Sequence, residues 1–104
     1  MKKINIKSGK ILYNDLNILN KSLSKQIFSL KEDLLQIEYP DGYLIDVGWY
    51  PEFDITGHFK IMLIKDFNWD QPVKDITCKD LVELIKNIQK IIDEIDNKTL
   101  QLKE

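Results

Sequence analysis

The segment at residues 34–65 reads LLQIEYPDGYLIDVGWYPEFDITGHFKIMLIK, and its pattern decides the fold. Apolar side chains recur at every second position in three runs, residues 34–39, 43–50 and 58–65. This spacing is typical of β-strands with one buried face. Pro40-Asp41-Gly42 predicts a turn between the first two runs, because proline presets φ and glycine accepts a positive φ. The pattern therefore predicts an antiparallel meander.

We expect some aromatic residues of this segment to be buried in the core and others to lie on the surface. Trp49 and Phe59 fall in the strand interiors, so we expect both to be core residues. Pro51 cannot donate a ladder hydrogen bond and should end the second strand. The residues at the strand end and in the following loop are better candidates for exposure, namely Tyr50, Glu52, Phe53 and Asp54.

The flanking segments favour helices. Asn14 or Asp15 can cap an N-terminal helix, and apolar residues then follow at helical spacing: Leu16, Leu19, Leu23, Ile27 and Leu30. Residues 25–31 fit an extended segment equally well. Residues 1–7 alternate like a short strand, and residues 66–74 read as an irregular loop. Thr77 and Asp80 resemble a capping box before a long amphipathic helix that ends near Asp96.

The predicted fold class is α+β in a single domain, residues 1–104. It consists of a three- to four-stranded antiparallel meander with an N-terminal helix and a long C-terminal helix packed on one face.

Composition excludes several classes of function. One cysteine and one histidine among 104 residues exclude a disulfide framework and a multi-histidine or multi-cysteine metal centre. Phosphate-binding and dinucleotide-binding glycine motifs are missing, so we expect no cofactor and no metal. Arginine is also missing, which argues weakly against sequence-reading nucleic-acid binding. No apolar run approaches a membrane span, and we expect a cytoplasmic protein without membrane contact.

The near-neutral net charge of −2 conceals a strong asymmetry. Residues 1–31 carry seven lysines and one acid, whereas residues 32–59 carry seven acids and no lysine. An acidic segment of this length suggests a surface for a basic partner. The alternative is that the acids scatter over both sides of the sheet and are simply solvated.

Catalysis has weak support in the sequence, and we expect no enzyme and no catalytic residues. His58 lies near Asp54 and could form an acid–base pair with it, but the spacing matches no known catalytic motif. Cys78 lies near a predicted helix start, where the dipole could lower its pKa, yet it has no partner histidine nearby.

The stretch at residues 46–54, DVGWYPEFD, combines acids with large aromatic side chains, which dominate protein interfaces. Together with the neighbouring hairpin it supplies the predicted partner-binding residues, which are Glu38, Asp41, Tyr43, Asp46, Tyr50, Glu52, Phe53 and Asp54.

This stretch, followed by Gly57, Phe59, Ile64-Lys65-Asp66, Trp69 and Pro72, resembles small immunity proteins of bacterial contact-dependent inhibition and related polymorphic-toxin systems. The resemblance covers about a third of the chain and implies a non-enzymatic inhibitor. Its partner would be the C-terminal domain of a cognate toxin, commonly a basic nuclease. A non-toxin interaction or regulatory module using the same face is the alternative, and homodimerisation through an edge strand also stays open.

Overall fold

The computed structural model describes residues 4–16, 19 and 22–100. Five strands within these residues form one antiparallel sheet in sequence order, so each strand pairs with the next along the chain. The strands are β1 (Lys10–Asn14), β2 (Leu35–Glu38), β3 (Tyr43–Tyr50), β4 (His58–Lys65) and β5 (Lys74–Cys78). The helix α1 (Leu81–Asp96) follows β5. The α+β class, the meander and the long C-terminal helix are confirmed.

One face of the sheet carries the main core. Alternate residues of β3 and β4, including Trp49 and Phe59, are buried in a cluster with the apolar stripe of α1. The rings of Trp49 and Phe59 meet edge to face with centroids 4.8 Å apart, a favoured aromatic geometry. The expectation that both are core residues is confirmed, with exposed fractions of 1% and 0%. We call this side the helix face.

The predicted N-terminal helix is wrong for the residues that can be described. Two short 3-10 helices, Leu23–Lys25 and Ile27–Ser29, occupy part of the segment, and residues 17, 18, 20 and 21 lie outside the described chain. The amides of Asp15 and Leu16 both donate to the carbonyl of Leu34, which ties the start of the segment to the sheet. Its leucines reach the core from this irregular path, so helical spacing misled the prediction.

The strand count was also wrong, because β1 and β5 were not predicted where they lie. The strand expected at residues 1–7 is not formed by Ile4–Lys7, and residues 1–3 lie outside the described chain. The first strand instead begins at Lys10 and pairs with β2 through an irregular register. Lys74–Cys78 has only two apolar residues and becomes a strand by pairing along β4. Backbone pairing with a long neighbour therefore overrides weak local patterning.

Within the described part of the chain, no helix combines the length and the apolar character needed to cross a membrane.

Candidate functional site

The second face of the sheet lies opposite α1, and we call it the open face. It carries the even-numbered residues of β2, β3 and β4, because side chains alternate along a strand. Leu44 and Ile64 are paired across β3 and β4 on this face and are buried, yet they do not belong to the core cluster on the helix face. The open face therefore has a small apolar centre of its own, without a helix over it in the described chain.

A groove of about 580 Å³ runs along one half of the open face. Its apolar wall includes Leu12, Leu44, Phe67 and Trp69, and the end near the turn between β2 and β3 is lined by Tyr39, Pro40 and Tyr43. Leu12, Phe67 and Trp69 are 48%, 78% and 44% exposed, which is high for large apolar side chains. The polar wall includes Lys10, Gln36 and Glu38.

A bulge brings acidic residues onto the other half of the open face. The backbone carbonyl of Lys31 accepts a hydrogen bond from the amide of Trp49 at 2.8 Å, and the amide of Leu34 donates to the carbonyl of Val47 at 2.9 Å. Glu32 and Asp33 lie between these two anchors and have no place in the ladder, as in a β-bulge. A Cβ at Gly48 would overlap the carbonyl oxygen of Glu32, so the bulge lies over the open face.

The bulge places Glu32 and Asp33 beside two carboxylates and two tyrosines. We define the acidic patch as Asp15, Glu32, Asp33 and Asp46 with Tyr13 and Tyr50. Burial raises the pKa of Tyr50, and the charges of Asp46, Glu32 and Asp33 raise it further. Hydrogen bonding to Asp15 raises the pKa of Tyr13, with a smaller contribution from the charge of Asp33. The charge of Asp33 contributes to the raised pKa of Tyr13, Asp46 and Tyr50, which indicates that Asp33 lies near all three side chains.

Asp46 is the buried member of the acidic patch. It is 7% exposed, and its Oδ1 accepts a 3.0 Å hydrogen bond from Nε2 of Gln36 on the neighbouring strand. Burial raises the pKa of Asp46, the Gln36 hydrogen bond opposes this, and the nearby charge of Asp33 adds to the increase. No ion pair to Asp46 occurs in the described chain, so the buried charge of this carboxylate destabilises the folded state.

Lysines border the patch, and among the described residues only one of its four carboxylates, that of Asp15, has an ion pair. Lys31 lies 3.3 Å from Asp15, whose carboxylate also accepts a 2.5 Å hydrogen bond from the Tyr13 hydroxyl. These two hydrogen bonds lower the pKa of Asp15. On the far side, Lys60 pairs with Asp75 at 3.6 Å. Glu32, Asp33 and Asp46 are left as carboxylates without an ion pair among the described residues.

The predicted partner-binding residues do not form one surface. Glu38, Asp46 and Tyr50 share the open face. Tyr43, at the start of β3, packs against the core of the helix face and also lines the end of the groove, and the Lys65 ammonium lies 4.3 Å from its ring centroid. Asp41 lies in the turn between β2 and β3, with φ of 66°.

Glu52, Phe53 and Asp54 form the loop between β3 and β4. Asp41 precedes β3, and this loop follows it. The eight residues of β3 therefore separate Asp41 from the loop by about 23 Å. The predicted residues therefore do not form a single acidic surface on the hairpin. They lie at the two ends of β3 and on the open face.

The loop between β3 and β4 has its own exposed aromatic pair. The rings of Phe53 and Phe28 meet at a tilt of 60° with centroids 5.9 Å apart, and they are 44% and 81% exposed. The Asp54 carboxylate accepts two hydrogen bonds from Thr56, at 2.9 and 2.7 Å, which lower its pKa. Its backbone carbonyl accepts from the indole of Trp49 at 2.7 Å. Asp54 is therefore engaged in holding the loop.

The geometry offers little for the catalytic alternatives. His58 lies half-buried on β4 opposite Tyr50, and it has no hydrogen bond to Asp54 in the described structure. Burial raises the pKa of Cys78 to about 11, which is opposite to the change that a reactive thiolate needs. No group of three or more histidine, cysteine or acidic side chains in the described chain could hold a metal ion.

Several residues of the site were missed by sequence reasoning. Tyr13 reaches the patch from β1, Asp33 reaches it from the segment just before β2, and Gln36 on β2 donates to its buried carboxylate. Leu12 belongs to a strand that was not predicted. One signal was present: an isolated glycine within a strong strand often marks a close backbone approach, and Gly48 makes room for the bulge.

No protein-family model matches the chain, and neither a curated protein nor a solved structure is significantly similar to it.

Proposed function

We propose that this chain is an immunity protein of a bacterial contact-dependent inhibition or related polymorphic-toxin system. It would bind the C-terminal domain of a cognate toxin in the cytoplasm and neutralise it, without catalysis, cofactor or metal. The observation that carries the proposal is the acidic patch, which lies on a sheet face opposite the only described α-helix.

The charge of the open face supports a basic partner. Glu32 and Asp33 are exposed and without an ion pair in the described chain, and Asp46 lies beside them with its charge unpaired. A nuclease toxin binds phosphate and is commonly basic, so an acidic surface can occupy its substrate groove. Complementary charge would also speed the encounter between the two proteins.

The proposal is tested by co-expression with the toxin domain encoded next to this gene. We expect growth to be rescued, and the two purified proteins to form a complex whose affinity falls as salt rises from about 50 to about 300 mM, because salt screens exposed charges. Asp33→Lys should weaken the complex and restore toxicity.

Glu83→Lys is the matched control, because Glu83 is exposed on α1 and therefore on the far side of the sheet. Failure of the toxin domain to bind, or an affinity that is equal at both salt concentrations, would contradict the proposal. Binding of the open face to a different protein, with no rescue of growth, would instead favour the interaction module.

A further inference from the structure

The groove and the acidic patch are two halves of one surface, joined at a single side chain. Gln36 lines the groove and also donates to the carboxylate of Asp46. Leu44 in the groove and Asp46 in the patch are two residues apart on β3 and point to the same face. Their separation is therefore about 7 Å.

We propose that the open face is a two-part receptor for a short basic segment of the partner protein, with one large apolar side chain in the groove and a neighbouring Lys or Arg against Asp33 and Asp46. The inference rests on the proposed function for the basic character of the partner. It adds the location, the chemistry and the spacing of the bound segment.

The apolar half of the receptor is inferred from the large apolar side chains that are exposed around the groove. Leu12, Phe67 and Trp69 keep large apolar surfaces in solvent around a preformed groove, and Leu44 forms its buried wall. Tryptophan at such a site contributes much contact area with few rotatable bonds. An aliphatic or aromatic side chain of the partner would bury this surface.

The cation-binding half of the receptor is inferred from the unpaired carboxylates. Asp46 is nearly buried with one hydrogen bond from a neutral amide, and Asp33 lies exposed beside it. An incoming ammonium or guanidinium would supply the counter-charge that the described chain does not provide. Residues i and i+2 of an extended segment, or i and i+4 of a helix, have the spacing needed to reach both halves.

The test uses the purified toxin domain and two pairs of matched variants. Leu12→Ser removes an exposed groove side chain, and Val82→Ser makes the same kind of change on the exposed surface of α1. Asp46→Asn removes the buried charge while its amide oxygen can still accept from Gln36, and Glu83→Gln is its control. We expect Leu12→Ser and Asp46→Asn each to weaken binding at least about tenfold, and the controls to change it less than about twofold.

The two tryptophans give a second readout that does not depend on substitution. Trp69 lines the groove, whereas Trp49 is 1% exposed on the other face. In the complex, the indole N–H resonance of Trp69 should shift and that of Trp49 should stay near its free position.

The possible outcomes separate the two proposals. If the toxin domain does not bind the wild-type chain, both proposals fail. If it binds Leu12→Ser or Asp46→Asn with wild-type affinity, or leaves the Trp69 resonance unmoved, the two-part receptor is overturned and the proposed function stands. An Asp46→Asn chain that unfolds at higher urea but binds more weakly would support the receptor, since misfolding cannot explain that combination.

Discussion

At the scale of the residue, the site depends on a glycine that has no functional group. Gly48 lies in the middle of β3, where a side chain would point to the open face and overlap the backbone of Glu32. Its missing Cβ lets the bulge settle over the strand and bring two acids to the patch. The Tyr50 hydroxyl then donates to the Glu32 carbonyl at 3.4 Å, from the neighbouring position on the same face.

Gly48→Ala should lower the free energy of unfolding by about 1–3 kcal/mol, because the clash is with backbone and not with a flexible side chain. Urea denaturation measures the change. Ser24→Ala, at an exposed position, serves as the control and should change stability by less than about 0.5 kcal/mol. Wild-type stability in Gly48→Ala would mean that the bulge does not lie across β3.

Asp46 links stability to pH in a direction opposite to that of most carboxylates. Its folded-state pKa is raised from 3.8, so the folded chain holds this proton more tightly than the unfolded chain does. The destabilising effect of its charge is therefore complete above the folded pKa and disappears as pH falls towards 3.8.

Asp46→Asn should accordingly be more stable than the wild type at pH 7, and its advantage should shrink as pH approaches 4. Urea unfolding of both chains at several pH values measures this difference. The matched variant Asp54→Asn should behave in the opposite way, because hydrogen bonds from Thr56 lower the pKa of Asp54. It should be less stable than the wild type at pH 7, and this difference in stability should shrink as the pH falls. An advantage of Asp46→Asn that is independent of pH would contradict the assignment of a buried charge.

At the scale of the element, α1 begins where a side chain caps it and not where the sequence first suggests. The capping-box reading expects Thr77 to begin the helix, but Thr77 belongs to β5 and pairs with Lys60. Asp80 is the N-cap, and its Oδ1 accepts from the amide of Glu83 at 2.8 Å. The helix start was therefore predicted three residues too early.

Asp80→Ala should cost about 1 kcal/mol of stability, because it leaves a helix amide without its acceptor. Asp80→Ser should recover most of this loss, since serine also caps. Thr77→Val removes the hydroxyl but keeps the β-branched shape and should be nearly neutral. Thermal unfolding ranks the stability of the three variants. A larger loss of stability in Thr77→Val than in Asp80→Ala would indicate that Thr77, and not Asp80, caps the helix.

At the scale of the whole molecule, the N-terminal segment is held against the C-terminal half of α1. Gln89 accepts from the amide of Asn5 at 2.8 Å and donates to its carbonyl at 3.1 Å, across 84 residues of sequence. Lys7 adds an ion pair with Asp93 at 2.8 Å, and the Tyr39 hydroxyl donates to the Ile6 carbonyl at 2.9 Å. These contacts join the segment before β1 to both the sheet and α1.

Gln89→Ala should lower stability by about 1 kcal/mol, because it removes both hydrogen bonds to the Asn5 backbone. It should also speed hydrogen exchange at the Asn5 amide while exchange in β3 and β4 changes only in proportion to global stability. Lys90→Ala, at the exposed neighbouring position, is the control. Unchanged exchange at Asn5 would contradict the contact.

The sequence by itself determined the centre of this protein. Apolar residues at every second position of 43–50 and 58–65 define one apolar face for each strand and place Trp49 and Phe59 on it. A one-residue slip of either strand would turn its own apolar set to the other face and separate these two rings. The amphipathic stripe of residues 81–96 likewise predicts a helix that needs a sheet to cover it. Both signals are local and strong.

Only the tertiary structure decided the edges and the candidate site. β5 exists because β4 offers it a pairing edge, and the leucines after Asn14 reach the core without forming the helix that their spacing suggests. The acidic patch joins Tyr13, the Glu32–Asp33 bulge and Asp46 through ladder register and a missing Cβ. Charge counting located the acids in the sequence, but which of them share a surface depends on backbone pairing between distant segments.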